Sequence, residues 1–272
     1  MAHLDQKRLA VVGCGNLGRA LVAGLIESGA MSPDRIAVSN RRSERSRAMA
    51  ERFQVRAADD NVDCVSGADV VLVAVKPQIV PGVLEELAGP AQDALVISVA
   101  AGVSSGRIES ELERNPRVVR AMPNTPAVIK QSATALAPGA HATEEDLNLA
   151  RSIFEAVGRV VVVDENHLDA VTGLSGSGPA YVFLMIEAFA DAGVKVGLSR
   201  EVALELAVQT IQGSARLLQE TQEHPGRLKD QVTSPGGCAI AGLHTLEEGG
   251  LRTTLMNAVE AATRRASELG KD

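Results

Sequence analysis

Leu9-Ala10-Val11-Val12-Gly13-Cys14-Gly15-Asn16-Leu17-Gly18 is the stretch on which the fold of this 272-residue chain turns. A short apolar run ending at a glycine reads as a buried parallel strand entering a tight turn, because both faces of such a strand are covered. From Leu17 to Ser28 the apolar residues return at helical spacing, and Gly29 stands where a helix stops. Between strand and helix lies G-x-G-x-x-G, in the context that gives this pattern meaning. Its first glycine permits the turn, its second lets the backbone approach a pyrophosphate, and its third lets helix and strand pack closely. The helix N-terminus then faces the phosphates with unpaired N–H groups and a positive dipole end. Gly13, Gly15, Asn16, Leu17 and Gly18 are thus expected to hold a dinucleotide, with the side chains of Cys14 and Leu17 serving packing rather than chemistry.

The pattern repeats outward. Ile36 to Val38 is the next strand, followed by a polar turn and an Arg- and Ala-rich helix from Ser43 to Arg52. Further strands are expected at Val70 to Ala74, Leu95 to Val99, Val118 to Ala121, Thr134 to Ala137 and Val160 to Val163. Helical stretches separate most of them, which indicates βαβ units and a mainly parallel sheet. After Asp164 no strand-like run recurs, and helices are expected at 165–173, 178–195, 199–221, 224–231, 237–248 and 251–269. The fold class is therefore α/β: an N-terminal Rossmann-type, doubly wound sheet (residues 1–164, binding NAD(P)) and an all-α domain (residues 165–272). Helices rich in Ala, Val and Leu over about a hundred residues leave apolar faces that a lone small bundle does not cover. Homodimerisation through this domain is the expectation.

Bulk properties narrow the partners. A net charge of -7 opposes broad attachment to nucleic acid or anionic lipid. With no Trp, one Tyr and four Phe, stacking platforms for bases are hard to build. Cys14, Cys64 and Cys238 show no paired spacing, and the five histidines form no ligand motif with them, which reads as a reduced cytoplasmic protein without a structural metal. No stretch is long and apolar enough for a membrane span.

The choice of dinucleotide rests on the end of the second strand, where a carboxylate selects NAD and basic or donor groups accept a 2′-phosphate. Ser39, Asn40, Arg41 and Ser43 supply donors before Glu44 supplies the first carboxylate. NADPH is favoured, with NADH remaining open. The competing explanation is an exposed helix start at Arg41 and Arg42. Ala74-Val75-Lys76-Pro77-Gln78 and Met122-Pro123-Asn124-Thr125-Pro126 follow strands, and ligands of open α/β sheets bind beyond those carboxyl ends. Ala74, Val75, Lys76, Pro77, Met122 and Asn124 are accordingly candidate cofactor contacts, although Pro and Asn also suit ordinary turns.

Two Gly- and Ser-rich loops stand out in the helical half: Leu174-Ser175-Gly176-Ser177-Gly178-Pro179 and Thr233-Ser234-Pro235-Gly236-Gly237-Cys238-Ala239. Each leads toward a helix, where exposed N–H groups suit a small carboxylate, and capping is the alternative role. With these loops included, the chain resembles pyrroline-5-carboxylate reductases from end to end. The resemblance rests on Gly13 to Gly18, Ala74 to Gln78, Arg120 to Pro126, Leu174 to Tyr181, Asp191 to Lys195, Thr233 to Gly237 and Leu246 to Leu251. It implies a helical dimerisation domain, in the family often assembled into rings of dimers, and NAD(P)H-dependent reduction of 1-pyrroline-5-carboxylate to proline, the last step of proline synthesis. The small imino acid would meet Ser175, Gly176, Ser177, Gly178, Ser234, Gly236, Gly237, Cys238 and Ala239.

At Ala239 the family usually carries threonine, whose hydroxyl is associated with the substrate's ring nitrogen. Backbone donors survive this departure but the hydroxyl is lost. Cys238 beside it is expected to pack in the interior, or to be reactive if exposed at the helix start. Hydride addition to an imine demands mainly that donor and acceptor carbons be held about 3 to 3.5 Å apart, and a protonated iminium already supplies the electrophile. No obligatory general acid is assigned. Rival readings are a reductase of a related cyclic imino acid, a non-catalytic NADPH-binding sensor, and a hydroxy-acid dehydrogenase. The last needs a lysine with an asparagine one helical turn later, whereas Lys195 is followed by Ser199.

Overall fold

The computed structural model describes residues 4–112 and 114–270. Its first half alternates strand and helix: β1 (Leu9–Val12), α1 (Asn16–Glu27), β2 (Ile36–Ser39), α2 (Ser43–Phe53), β3 (Arg56–Ala57), α3 (Asn61–Val65) and β4 (Val70–Val73). There follow α4 (Val80–Leu87), β5 (Leu95–Ser98), α5 (Ser105–Leu112), β6 (Arg117–Met122), β7 (Ser132–Pro138), α6 (Glu144–Glu155), β8 (Gly158–Val162) and α7 (Leu168–Val171). The remainder is α8 (Gly178–Lys195), α9 (Arg200–Thr221), α10 (Pro225–Val232), α11 (Cys238–Glu248) and α12 (Leu251–Leu269).

Among the described residues, eight strands form one sheet in the order β3-β2-β1-β4-β5-β6-β7-β8. All pairs are parallel except β6 with β7, which run antiparallel in the register Val119↔Pro138 to Met122↔Ala135. The chain order reverses at β1, so β1 and β4 lie side by side and their carboxyl ends open the crevice in which such sheets bind ligands. Strands β1, β4 and β5 are buried along their whole length because helices cover both faces, which explains their unbroken Val, Leu and Ile runs. Leu9, Leu21, Leu25, Leu72, Ile97 and Phe154 pack in one core cluster, and Val71, Val73, Leu84, Leu87 and Val96 in a second. Burying each such side chain contributes about 1.5–3 kcal/mol. Local capping sets the helix starts: Thr143 and Asp146 form a reciprocal box at α6, and Asp146 is also held by Arg117 at 2.8 Å.

The expected alternation and the switch to helices match this architecture, with β3 the strand that the pattern did not reveal. The chain divides into two compact units, one of residues up to Ser177 plus the end of α12 from Ala261, the other Gly178–Glu260. This division falls later than residue 164, because the stretch after β8 stays with the sheet: Leu168 packs with Ala135 and Ala137 of β7. In the second unit Gly193 of α8 lies so close to α9 that a Cβ there would come 2.7 Å from the Ala203 methyl. Among its described residues only Ala190, Ala203 and Ala207 are buried, while Phe183, Leu184, Phe189 and Leu206 are more than half exposed.

Candidate active site

The first unit builds the site at the carboxyl ends of its strands. Gly13 has φ +113°, a conformation that L side chains rarely adopt, and a Cβ there would lie 2.5 Å from the Ala74 carbonyl oxygen. A Cβ at Gly18 would collide with the Gly13 carbonyl, so α1 can pack on β1 only through glycine. Among the described residues, nothing lies within 4 Å of a Cβ placed on Gly15. That open ground before the N-terminus of α1, where Gly15 caps without a side chain, suits a pyrophosphate approaching the backbone. Asn16 and Leu17 open the helix, Asn16 exposed and Leu17 packed against the core. Ala74 and Val75 border Gly13, which brings the segment after β4 to the glycine loop. Lys76 is exposed, and Pro77 begins the short 3-10 turn that follows it.

The turn after β2 differs from the expectation in one respect. Ser39 is buried and donates its hydroxyl to Asn61 Oδ1 at 2.7 Å. Its carbonyl accepts from Gly13 N at 2.9 Å. Asn40 Oδ1 accepts from Cys14 N at 3.2 Å, and Asn40 Nδ2 donates to the Arg42 carbonyl at 3.1 Å. Both side chains therefore shape the turn and lace it to the glycine loop, the Ser39 hydroxyl proton and one of the two Asn40 Nδ2 protons being given to protein oxygens. Arg41 and Ser43 remain exposed. Cys14 is a packing residue as expected: its thiol donates to the Ser39 carbonyl, and burial, then the neighbouring Cys64, pushes its pKa up to about 12.

Asn124 is the hinge pin of the segment after β6. Its Oδ1 accepts from Ala133 N at 3.0 Å and from Ser132 Oγ at 3.2 Å, and its Nδ2 donates to the Ser175 carbonyl at 3.2 Å. Residues Thr172–Gly176 form a π-helical turn, a rare geometry often found at functional sites. Ser175 donates its hydroxyl to the Ala133 carbonyl at 3.3 Å. A carboxylate only accepts hydrogen bonds, so Ser175 would have to leave that partner to anchor a substrate through its side chain. The loop expected before α8 is thus a turn bolted to β7, and a Cβ on Gly176 would come 2.6 Å from Met122 Cε. Ser177 N closes the turn on the Thr172 carbonyl at 2.8 Å, and Gly178 begins α8. Asn124→Ala should cost about 2 kcal/mol in urea unfolding, since it strips partners from Ala133 N, Ser132 and the Ser175 carbonyl together.

The second Gly- and Ser-rich loop lies in the second unit. Gly236 has φ +69°, Gly237 N donates to the Ser234 carbonyl at 3.0 Å, and α11 starts at Cys238 with no side-chain cap. Its first turn presents backbone N–H groups as the sequence predicts. Cys238, the first residue of α11, is exposed rather than packed inside. Lys195 ends α8 and Ser199 caps α9, so the lysine–asparagine pair of a hydroxy-acid dehydrogenase is absent.

Two clusters escaped the sequence reading. Arg120 of β6, 9% exposed, meets Glu165 at 3.0 Å, while Ser105 N donates to the same carboxylate at 2.6 Å and the Ser105 hydroxyl at 2.5 Å. Burial opposes ionisation of Glu165, but the Ser105 donors and the Arg120 guanidinium outweigh it and hold its carboxyl below the ordinary range. Arg19, Arg45 and Arg52 gather beside the glycine loop. The 45/49/52 spacing on one helix face was legible; its orientation toward α1 was not.

A mainly parallel sheet with a tight glycine loop at its switch point and an open helix N-terminus before it defines a nucleotide-dependent oxidoreductase of the Rossmann class. Residues 8–102 match the family model described as NADP oxidoreductase, coenzyme F420-dependent, and residues 165–269 match pyrroline-5-carboxylate reductase dimerisation. The chain is 47% identical to the pyrroline-5-carboxylate reductase of Synechocystis sp. over 264 residues, covering 97% of this chain and 98% of that one. It is 45% identical over 269 residues to that of Methanosarcina acetivorans, with 98% and 100% covered. The solved pyrroline-5-carboxylate reductase of Coxiella burnetii superposes with a TM-score of 0.93 at 40% identity, covering 98% of this chain and 99% of that one. The chain belongs to the pyrroline-5-carboxylate reductase family, and its fold and class are those the sequence led us to expect.

Proposed function

We propose that the chain reduces 1-pyrroline-5-carboxylate to L-proline with NADPH, the final step of proline biosynthesis. The observation that carries this reading is the glycine loop, open at Gly15 and closed by necessity at Gly13 and Gly18, in a chain with full-length reductase relatives. When bound, NADPH supplies the hydride that the C=N carbon accepts, the ring nitrogen carrying the proton. Gly13, Gly15, Asn16, Leu17 and Gly18 would hold the pyrophosphate, and Arg41 and Ser43 the adenosine end. Ala74, Val75, Lys76, Pro77, Met122 and Asn124 would border the nicotinamide. The substrate carboxylate would meet the backbone donors at the start of α11, with Ser234, Gly236, Gly237, Cys238 and Ala239 forming that turn. Ser175, Gly176, Ser177 and Gly178 would position the turn after α7 rather than donate to the substrate. Nothing favours the sensor reading over the reductase.

The sparse burial of α8 to α11 supports a homodimer formed through the helical domain, with larger rings of dimers the family's further step. Three free thiols fit a reducing cytoplasmic setting. Among the described residues no helix is long and apolar enough to cross a membrane.

Purified protein is expected to consume NADPH when given 1-pyrroline-5-carboxylate, and less readily a six-membered cyclic imino acid. Ala239→Thr should raise kcat/KM by about three- to tenfold, the worth of one hydrogen bond to the ring nitrogen. No consumption with either imino acid by either protein would overturn the reading.

A further inference from the structure

We propose that the carboxyl end of α12 is a positioning element for hydride transfer: Gly270, seated on Gly102, holds the loop at residues 99–104 in place at the nicotinamide end of the cofactor site. This rests on the reductase reading above. In the sheet β5 lies between β4 and β6, and its last residue, Ser98, is level with Val73 on one side and Arg120 on the other. The loop after β5 therefore leaves the same edge of the sheet as residues 74–77 and 122–124, and stands between them. Those are the segments that would border the nicotinamide. Ala100, Ala101, Gly102 and Val103 carry no charged or polar side chain. What this loop offers a ligand is backbone and shape, so its position decides its effect.

The loop is anchored at both ends and propped in the middle. At its start Val99 N donates to the Val73 carbonyl at 3.2 Å, and Ala100 N to Ser98 Oγ at 3.3 Å. At its end the Glu165 carboxylate accepts from Ser105 N and from the Ser105 hydroxyl, with Arg120 bonded to the same carboxylate. Ala100 and Val103 are buried, while the turn between them, Ala101 and Gly102, is half-buried. Gly270 meets that turn; it directly follows α12 and belongs to the same compact unit as the loop. A Cβ on Gly102 would lie 3.0 Å from Gly270 N and 3.1 Å from its Cα, and a Cβ on Gly270 would lie 2.6 Å from the Gly102 oxygen. Two backbones touch here, with no room for a methyl on Gly270. Gly102 has φ +76°, which calls for glycine on its own account. Gly270 does not: its φ lies outside the left-handed region that usually places glycine after a helix. Close approach to Gly102 accounts for it instead. The helix end is itself held, because Gly270 N donates to the carbonyl of buried Ala266 at 3.3 Å. A side chain at position 270 must push the Gly102 carbonyl back or lift the helix end away, and either change frees the turn.

Hydrogen exchange on the full chain without cofactor tests the contact, and ligand binding and turnover test its consequence. Gly270→Ala should speed exchange of the amides of residues 99–104 by about tenfold or more, while those of the glycine loop stay within about twofold of wild type. Affinity for 5′-AMP, which reports the adenosine end and controls for folding, should also stay within about twofold, and imine reduction should lose about tenfold in kcat, as a misplaced nicotinamide does. Gly270→Val should lose more. Arg265→Ala, which removes a surface pair with Glu268 at 2.8 Å, should match wild type throughout. A contact that only stabilised the fold would lower the melting temperature without moving kcat. Unchanged exchange at 99–104 in Gly270→Ala, a kcat within about twofold of wild type, or a loss of 5′-AMP affinity as large as the loss in kcat overturns the proposal. A wild-type protein that turns over no imino acid would overturn the reductase reading itself, a different failure, and exchange at 99–104 would still decide whether the helix end holds the loop.

Discussion

Gly13→Ala is expected to raise the dissociation constant for NADPH by about a hundredfold or more and to lower the melting temperature by about 3–10 °C. The residue has φ +113°, and an added Cβ would sit 2.5 Å from the Ala74 oxygen and 2.8 Å from its carbonyl carbon. Neither side can yield cheaply. Gly13 N is bonded to the Ser39 carbonyl at 2.9 Å, and Ala74 N to the Val12 carbonyl at 2.8 Å, so relief would pull on three central strands. Backbone strain of this kind costs about 1–3 kcal/mol, and the loop that relaxes it no longer presents its N–H groups to a pyrophosphate. Gly15→Ala makes the contrast. Among the described residues no atom lies within 4 Å of a Cβ placed there, so melting should be unchanged while the methyl occupies the cofactor's approach and NADPH binding falls. Fluorescence titration and thermal melting of the two variants separate the effects. Normal NADPH affinity in Gly13→Ala would mean that the loop is not the cofactor site.

Glu165→Gln should destabilise the first unit by about 3 kcal/mol, read as a lower urea midpoint. The substitution leaves the Arg120 guanidinium, 9% exposed, without its countercharge and weakens the two bonds from Ser105. We take the lower end of the range for a broken buried pair because the Glu165 side chain is 31% exposed. The pH dependence has a definite sign. Because the folded-state pKa of Glu165 lies below the ordinary 4.5, its contribution is present above that value and is lost as pH falls through the folded pKa. Wild type should therefore lose stability on acidification more steeply than Glu165→Gln, and the two curves should converge in acid. Parallel curves across that range would show that the carboxylate is not the stabilising element.

The glycine loop, the parallel sheet and the helices after residue 164 were legible because each rests on local pattern. Gly13, Gly15 and Gly18 have separate steric jobs that spacing alone suggests, and the apolar runs of β1, β4 and β5 leave little room for another reading. β3 has two residues, Arg56 and Ala57, and no apolar run to betray it. The π turn at 172–176 was divided between a helix and a loop, since its geometry depends on Asn124 and Ala133, 51 and 42 residues away from Ser175. For the same reason Arg120, Ser105 and Glu165 could not be linked: their partnership spans 45 to 60 residues. Ser39 and Asn40 show the converse. Their donors were visible in the sequence, but the acceptors that claim them were not.

The helical unit, whose buried residues are alanines, has a hereditary consequence if it is completed by a second copy. In a two-fold assembly one codon change alters both faces of the joint at once. A substitution at any residue of that contact would enter it twice, once from each subunit, and its cost or benefit would be doubled before selection sees it. Such faces should drift in compensating pairs within one gene, and two diverged copies of that gene in one cell should come to prefer their own kind.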